Sequence, residues 1–594
     1  MNRKILLIAV TIAAMSFLAA CGSSSTGVSI ALNNVPPSLT TNQTTTLSAV
    51  VSNDTTNAGV DWTCSTAPCG TFSPTHTTSG ATTSYTAPGT AGTVTVTATA
   101  TADSSATQSA TIQITSGSAN AGLSGQYVYF VQGTDVTGSF YTAVGSITAD
   151  GMGDITTGEQ DYEDSSTDSE AASLSGTYSI GSNGQGSMTL NVNDINLPTT
   201  TETFSFATTS TTHALIIEFD GFGTSSGTLD FQAPSAFDAT SINGSFAFTL
   251  SGLDITDEAE GEEFPIAFGG IENVNASSGS VSNGTLDVND GGDTESVAFE
   301  GSITGPDPDG RGTITTTAPT TFNYYAVQGE VLRLVESVSV DLHVTGGTAY
   351  GQGTAATNAT DTSLTGNYAF YDSATTSTAP LGLVGQFAAD GSGNLTTGIA
   401  DTNDGGSFDS GSIATSTYSI PSGGGGRGTL MLSTGSTQDV NSLMIYVTDP
   451  TLNLLDPNNT SGAGGALILD VDVNSIGDGL IIPQVTGSFT NGYAVNLQDF
   501  SSTAEVDLVG QATAGSSSLT GNVDVNDFLT TQAGITFTAQ FNADSSNPGR
   551  YTGKFTYGSV NISTSYYQAS TAQVLVLDTD GDDVGNGFVI QQQP

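Results

Sequence analysis

The chain has 594 residues, and its 57 Asp and Glu face only 7 Lys and Arg, which gives a formal net charge of −50 at pH 7. This length exceeds that of a single domain, so several domains are expected. An acidic surface repels phosphate backbones and anionic lipid headgroups, so we expect no nucleic-acid partner, whereas divalent cations are attracted. Abundant Gly, Ser and Thr, with 36% hydrophobic residues, are typical of β-structure with many turns.

The N-terminus has the pattern of a secretory signal peptide, with two basic residues before an apolar run that is shorter than a spanning helix requires. Leu18-Ala19-Ala20-Cys21 resembles the lipobox of bacterial lipoproteins. The resemblance implies cleavage before Cys21, acylation of that residue and, with Gly22 next, sorting to the outer membrane of the cell envelope. We expect a signal peptide over 1–20 and a lipidated tether over 21–27. A plain secretory signal with a chance cysteine is the alternative.

Cysteine usage agrees with export. After Cys21 only Cys64 and Cys69 remain, and an even pair in an exported chain predicts a disulfide. A zinc site would lack ligands, because His76 is the only further candidate nearby. The chain-entropy model gives so short a ring roughly 2 kcal/mol of stabilisation, so the bond is expected to act as a local clamp.

Residues 28–116 show short runs of alternating apolar and polar residues, separated by Pro and Asn-Asp turns, which predicts about seven antiparallel strands in a sandwich. Val60-Asp-Trp62-Thr-Cys64, Tyr85-Thr-Ala-Pro88 and Val94-Thr-Val96 resemble a bacterial immunoglobulin-like domain. The two cysteines lie too close together to bridge the sheets as in antibody domains. Trp62 is expected in the core, and an exposed sugar-stacking role is the alternative.

The rest of the chain contains four repeats. An apolar-x-Gly-x-aromatic signature opens each one, and its glycines are Gly125, Gly244, Gly366 and Gly487. Units one and three share Ala-Asp-Gly-x-Gly, whereas units two and four share Gly-x-(Leu/Val)-Asp-Val-Asn-Asp, so the order is A-B-A-B. The predicted boundaries are 121–236 (A1), 239–355 (B1), 361–483 (A2) and 484–594 (B2).

Each repeat is expected to be all-β. About eight strands in about 120 residues favour a small antiparallel meander barrel, and a sandwich is the alternative. Unit A1 is loosely similar to avidin-like or lipocalin-like barrels, a likeness that implies no ligand. The late strand of each repeat is a continuous apolar run, which predicts burial on both faces. An A and a B unit that packed together would form one domain of about 240 residues.

The sequence offers no catalytic residue. His76, His213 and His343 fall in different units without a local triad pattern, and structural roles are expected for them. Nucleophile elbows, zinc-protease helices and phosphate loops do not occur in the sequence. Paired carboxylates leave a glycoside hydrolase open, because the fold and not the sequence spacing sets their separation.

A recurring Asp-x-(Asn/Glu)-Asp motif is the candidate metal site, because clustered carboxylates and amides supply the oxygens that Ca²⁺ prefers. Its alternative is an Asx-turn, in which the side chain caps its own backbone. The candidate ligands are Asp161, Glu163, Asp164, Asp287, Asn289, Asp290, Asp401, Asn403, Asp404, Asp524, Asn526 and Asp527, together with the C-terminal loop residues Asp578, Asp580, Asp582 and Asp583. Calcium is the only cofactor that the sequence suggests.

Three arginines occupy equivalent hairpins: Arg311, Arg427 and Arg550. They are expected to pair with local carboxylates and hold the turn; a site for anionic sugars is the alternative.

Together these patterns predict a non-enzymatic, lipid-anchored envelope protein whose repeats serve binding, adhesion or structure. The expected partners are the membrane, through the anchor alone, and a glycan or surface protein. The alternative is a carbohydrate-active or other hydrolytic enzyme with its site between A and B units.

Overall fold

The computed structural model describes residues 27–593, apart from 34, 37, 41–43, 66–68, 89–91, 116–118, 195–196, 198, 256–263, 318–320, 338–341, 377–378, 434–441 and 502–503. Two compact units divide after Gly117. The predicted signal peptide and Cys21 lie outside the described residues. Of the helices in the described part of the chain, none has the length and apolar character needed to cross a bilayer.

The first unit consists of two sheets around one core. One sheet has the order β1-β3-β7-β5 and the other β2-β9-β8-β4-β6. The strands are β1 Ser29–Asn33, β2 Ser38–Thr40, β3 Thr44–Ser52, β4 Val60–Ser65, β5 Thr71–Ser73, β6 His76–Thr77, β7 Thr82–Thr86, β8 Gly92–Ala100 and β9 Thr107–Thr115. Alternate residues of β8 point into the core, which is the period of two that the sequence shows.

Trp62 lies in this core, where only 3% of it is exposed. Its indole N–H donates to Thr77 Oγ1 (3.0 Å), and its ring stacks on Phe72 with centroids 6.0 Å apart. A disulfide joins Cys64 and Cys69 beside it. The indole is therefore used for packing within the sandwich.

The second unit contains one barrel-like sheet for each repeat, with consecutive strands as neighbours. A1 and B1 are closed eight-stranded barrels, whereas A2 and B2 are nine-stranded sheets with the same strand order, which we also call barrels. The strands of barrel A1 are β10 Ser124–Asp135, β11 Phe140–Asp150, β12 Asp154–Asp164, β13 Asp168–Ile180, β14 Gln185–Val192, β15 Thr201–Thr208, β16 His213–Glu218 and β17 Gly223–Phe231. Those of barrel B1 are β18 Asn243–Asp254, β19 Phe264–Asn275, β20 Ser280–Asp290, β21 Asp293–Thr304, β22 Arg311–Thr316, β23 Thr321–Gln328, β24 Val331–Glu336 and β25 His343–Gly351. Both sheets close between their first and last strands.

The third and fourth barrels follow the same order with one divided strand each. Barrel A2 comprises β26 Thr365–Thr376, β27 Pro380–Asp390, β28 Leu395–Asp404, β29 Ser407–Ser412, β30 Thr417–Ser419, β31 Arg427–Met431, β32 Ser442–Val447, β33 Ala466–Asp470 and β34 Ser475–Pro483. Barrel B2 comprises β35 Gly492–Ser501, β36 Glu505–Ala514, β37 Ser518–Asp527, β38 Thr530–Gln540, β39 Asn542–Ala543, β40 Arg550–Tyr557, β41 Val560–Gln568, β42 Gln573–Asp578 and β43 Asp583–Gln591. In A2, β29 and β30 together take the place of a single fourth strand, and in B2 a β38–β40 pairing joins the sheet.

Short helices precede the first strands of the barrels. They are the 3₁₀ turns Asn120–Gly122, Pro234–Phe237 and Asp361–Ser363, and the α-helix Ala355–Asn358. Ala236 belongs to the core of barrel B1, and Ala355 to that of barrel A2. Each link therefore packs against the barrel that follows it.

Side chains fill the interior of each barrel. Phe204, Phe206 and Met188 are almost wholly buried inside A1, and Tyr566 and Phe537 occupy the same kind of core in B2. Each interior is a separate apolar cluster. The predicted all-β class is therefore confirmed, and A1 and B1 have the barrel form.

The predicted two-sided burial of the late strands is visible in all four barrels. Every residue of β16, β24, β33 and β42 is buried. In β16, Ile216 faces the interior of A1, while Leu215 and Ile217 join a second cluster that includes residues of all four barrels. Burial of one such side chain is worth roughly 1.5–3 kcal/mol, so this shared cluster holds the barrels together.

The barrels contact one another in a ring. The second strand of each barrel packs on the late strands of the next: β11 on β25, β19 on β34, β27 on β42 and β43, and β36 on β15 and β17. The last of these contacts joins B2 back to A1, which the chain does not link directly. A head-to-tail interface that closes after four steps gives a cyclic arrangement.

Because consecutive strands run antiparallel, the loops lie alternately at the two ends of the ring. The turns after the second, fourth and sixth strands of each barrel lie with the inter-barrel links, at what we call the link end. The turns after the first, third, fifth and seventh strands lie at the opposite, free end. The longest connection at the link end is 448–465 of A2, which replaces the short hairpin found at that position in the other three barrels.

Candidate functional site

A glutamine after the last strand of every barrel binds the next barrel at the link end. These residues are Gln232, Gln352, Gln484 and Gln592. The Gln232 amide donates to Asp309 O (2.9 Å) and Ala326 O (3.0 Å). Gln592 repeats the contact from B2 to A1, where it donates to Thr208 O (3.3 Å). The interface without a peptide link therefore shares the glutamine contact of the other three.

The repeated arginines pair with the first Asp of the motif in the preceding barrel. The pairs are Arg311–Asp161, Arg427–Asp287 and Arg550–Asp401, with Nε to carboxylate distances of 2.8, 2.6 and 2.8 Å. Arg550 also binds Asp401 through Nη2 (2.9 Å), and the Asp401 side chain is fully buried. Only Arg550 has, in addition, the expected partner within its own hairpin, Asp544 at 3.1 Å. The ion pairs thus lock neighbouring barrels together.

The interface that closes the ring differs in chemistry. Gln185 begins the fifth strand of A1, where the other barrels have arginine. Asp524 of B2 instead accepts hydrogen bonds from Ser205 Oγ of A1 (2.6 Å) and from the Gly534 amide of its own barrel (2.6 Å). This seam is held by neutral donors and apolar packing, without the bidentate ion pair of A2–B2.

The motif's asparagines fix a loop of the next barrel at the free end. Asn403 Nδ2 donates to the carbonyl oxygens of Asp578 (2.9 Å), Asp580 (3.2 Å) and Asp583 (2.8 Å). Asn289 makes the same three-carbonyl contact with A2, and Asn526 a two-carbonyl contact with A1. An amide that satisfies several carbonyls determines the loop's shape.

In A1 the corresponding residue is Glu163. Both of its carboxylate oxygens are buried without a hydrogen-bond partner. Burial, followed by the nearby carboxylates of Asp168 and Asp161, raises the pKa of Glu163 to about 11. Glu163 is thus held as a neutral acid at neutral pH.

A buried ion network joins A1 and B1 near the ring centre. Arg333 lies where the seventh strands of the other barrels have leucine, and its Nη2 is 2.6 Å from Asp230 Oδ2. His213 Nδ1 lies 2.7 Å from the other Asp230 oxygen. Burial lowers the pKa of His213, but the nearby carboxylates of Asp230 and Asp456 raise it by a larger amount. The pKa of His213 therefore lies above its ordinary value. His213 thus pairs with Asp230 inside A1, while Arg333 makes the contact between A1 and B1.

The long connection 448–465 fills the centre of the ring at the link end. Tyr350 of B1 donates to Leu454 O (2.7 Å), Asn458 donates to Phe231 O of A1 (2.9 Å), and Gln573 of B2 donates to Asn453 Oδ1 (2.9 Å). Leu452, Leu454 and Leu455 are buried in the shared cluster. One hairpin of A2 thus contacts all three other barrels.

Three groups of acidic side chains bring their oxygens within 4.8 Å of one another: Glu159, Asp307 and Asp309; Glu163, Asp168 and Glu170; and Asp499, Asp578 and Asp583. The second already has a cationic neighbour, because Arg311 Nη2 lies 3.8 Å from Glu170. Of the sequence-predicted ligands, Glu163, Asp578 and Asp583 fall in these groups. The other six members were not anticipated: Glu159, Asp168, Glu170, Asp307, Asp309 and Asp499.

The other predicted ligands have local roles in the described structure. Asp164 accepts the Ser166 amide (2.7 Å) in an Asx-turn, and Asp290 pairs with Asp293 across a hairpin. Asp404 ends β28, Asp527 ends β37 at an exposed position, and Asp582 is exposed in the turn between β42 and β43. The Asp580 amide donates to Asp578 (2.6 Å).

Two cavities in the described part of the second unit are of note. One, of about 20 Å³, lies at the mouth of A1 beside Tyr141, Glu202 and Glu218, and has room for a single water. The other, of about 220 Å³, lies at the link end of A2, between the Ala355–Asn358 helix, Tyr368 and Pro450. The first is too small for a sugar ring, and the second is lined by methyl, hydroxyl and amide groups.

Comparison with known proteins adds no family assignment. No family model matches the sequence, and no curated protein does. Among solved structures, a mutant of the vaccine antigen transferrin binding protein B from Haemophilus parasuis aligns at 9% identity over 66% of this chain and 83% of its own, with a TM-score of 0.19. The alcaligin outer-membrane receptor FauA from Bordetella pertussis aligns at 10% identity over 84% and 81%, with a TM-score of 0.12. TM-scores this low do not establish a shared fold.

The glutamines and the A2 insertion are the functional residues that sequence reasoning missed. A Gln after the final strand recurs in all four repeats and was visible in the sequence. The role of 448–465 was not visible, because length alone does not reveal which surfaces a loop contacts.

Proposed function

We propose that this chain is a lipid-anchored cell-envelope protein whose ring of four barrels serves as a rigid, non-catalytic platform for binding a glycan or a surface protein. The observation that supports this proposal best is that the motif residues lie in the interfaces between barrels. Asp401, Asn403 and their equivalents join barrels to one another, and the barrel interiors are packed. A fused ring of filled barrels holds the described turns of its free end in fixed positions, as Asn403 does for the turn between β42 and β43, which suits recognition by shape.

The anchor is tested by Cys21→Ser. We expect the wild-type chain in the membrane fraction and the variant in the soluble fraction after normal export, because several acyl chains are needed for stable anchoring. Cys64→Ala is the matched control, since it alters an exported cysteine outside the lipobox and should leave the chain in the membrane fraction. Retention of an exported Cys21→Ser variant in membranes would contradict the anchor.

Binding is tested with the soluble Cys21→Ser chain on an array of glycans and in pull-downs from envelope extracts. A reproducible ligand that the chain binds without turnover supports a platform. Turnover of that ligand would instead favour the hydrolase that the sequence left open, with its site between A and B units.

A further inference from the structure

Three carboxylates meet at the free end of barrel B2. Asp499 lies in β35, Asp578 ends β42 and Asp583 begins β43, and these strands are neighbours in the sheet. One oxygen of each lies within 4.8 Å of the others. We propose that Asp499, Asp578 and Asp583 bind a divalent cation of the calcium type.

The site has unused ligand atoms. Asp578 is fully buried and its Oδ2 has no hydrogen-bond partner; Asp499 is 6% exposed and its Oδ1 likewise has none. Buried carboxylate oxygens without donors are costly unless a proton or a cation lies between them. Asp583 is partly exposed, which gives an ion a route from solvent and leaves room for water ligands.

In barrels A1 and B1 a hydroxyl donor satisfies the equivalent acid, whereas in A2 Asp470 accepts the Asp472 amide (2.8 Å) and its Oδ2 has no hydrogen-bond partner. At the end of the seventh strand, Glu218 of A1 accepts from Tyr141, and Glu336 of B1 accepts from Thr345 (2.7 Å). In B2 the acid at that position, Asp578, faces Asp499 instead. In B2 a second carboxylate therefore stands where A1 and B1 have a hydroxyl donor.

The surroundings hold the three carboxylates in position. Asn403 of A2 binds three carbonyls of the loop that carries Asp578 and Asp583, so the neighbouring barrel sets its shape. Gly585 leaves the space that Asp499 occupies, because a Cβ there would lie 2.8 Å from Asp499 Oδ1. Preorganised hard oxygen ligands, completed by water, suit Ca²⁺ better than softer metals.

The pKa shifts agree with this geometry. Burial, followed by repulsion from neighbouring carboxylates, raises the pKa of Asp499 to about 7 and that of Asp578 to about 10. A cation would displace these protons, so its binding should strengthen as pH rises.

The test is calorimetric titration of Ca²⁺ into the detergent-solubilised mature chain at pH 7.5 after EDTA treatment. We expect one site, and a melting midpoint raised by about 3 °C at saturating Ca²⁺. Asp578→Asn and Asp499→Asn should each abolish the heat and the shift. Asn imitates the protonated acid, so both variants should fold, and circular dichroism with the midpoint in EDTA checks this.

Asp582→Asn is the matched control, because it removes an exposed charge from the same loop and should retain the site. Absence of binding to the wild type at pH 7.5, or unchanged binding in both Asn variants, would overturn the proposal. Equal affinity for Mg²⁺ would overturn the calcium-type assignment. Should one variant misfold, the other decides.

Discussion

At the scale of single residues, the interfaces depend on a few buried polar groups. The ion pairs place a carboxylate of one barrel under the guanidinium of the next, and the Asn and Gln amides satisfy carbonyls across the same joins. Such groups contribute only modestly to the free energy of unfolding while they are paired. Loss of one partner is expensive, because the remaining charge stays buried.

Arg550→Gln is therefore expected to destabilise the ring by about 3–5 kcal/mol, since it strands the buried Asp401 carboxylate. Urea unfolding monitored by tyrosine fluorescence measures the change. Arg427→Gln should cost less, because Arg427 is 31% exposed on its side chain and Tyr446 also donates to Asp287. The double variant Arg550→Gln, Asp401→Asn should recover part of the loss; no recovery would count against stranded charge as the cause.

At the scale of elements, the insertion 448–465 distinguishes A2 from the other barrels. Its leucines complete the shared core, and its polar groups reach three barrels. Because this one loop contacts every barrel, its loss should destabilise all four barrels.

Leu454→Ala should lower stability by about 2–5 kcal/mol and shift the melting of all four barrels together, because it opens a cavity in their common cluster. Differential scanning calorimetry of the full chain reports both effects. Val485→Ala, at a position that is 69% exposed, is the control and should change stability by less than about 0.5 kcal/mol. Separate melting of one barrel in Leu454→Ala would contradict a shared core.

At the scale of the whole molecule, acidity is the dominant property. Burial raises the pKa of Glu202 and Asp372 to about 7, and that of Glu272 and Glu505 to about 8. The folded state therefore holds protons that the unfolded chain releases near pH 4–5, so stability must fall as pH rises from that range through 7–8. Asp230, whose pKa is lowered by its ion pairs, affects only more acidic solutions.

The melting midpoint in EDTA should consequently be higher at pH 5 than at pH 8, with a difference of several degrees. Each such carboxyl contributes up to about 1.4 kcal/mol per pH unit between its two pKa values. Glu272→Gln should flatten the profile, because the pKa of Glu272 is shifted by burial alone. A midpoint that rises with pH would show that these acids are ionised in the folded state.

The sequence predicted the features of the fold that follow from local periodicity. Even spacing of the Gly signatures gave four repeats, and the apolar runs of β16, β24, β33 and β42 predicted two-sided burial. Contacts between distant residues could not be predicted. Arg311 reaches Asp161 in another barrel, and Asp499 meets Asp578 only because β35 pairs with β43. Both depend on a three-dimensional order that one sequence does not encode locally.

The unlinked B2–A1 seam has a consequence for assembly. If it opens, one molecule presents two complementary surfaces at opposite termini, and each can engage the other surface of a second molecule. Head-to-tail joining that fails to close yields open polymers. Damage at the seam, where Gln185 stands in place of the arginine and Ser205 donates to Asp524 instead of a bidentate ion pair, should therefore produce concentration-dependent fibres of otherwise folded barrels, and not a simple loss of structure.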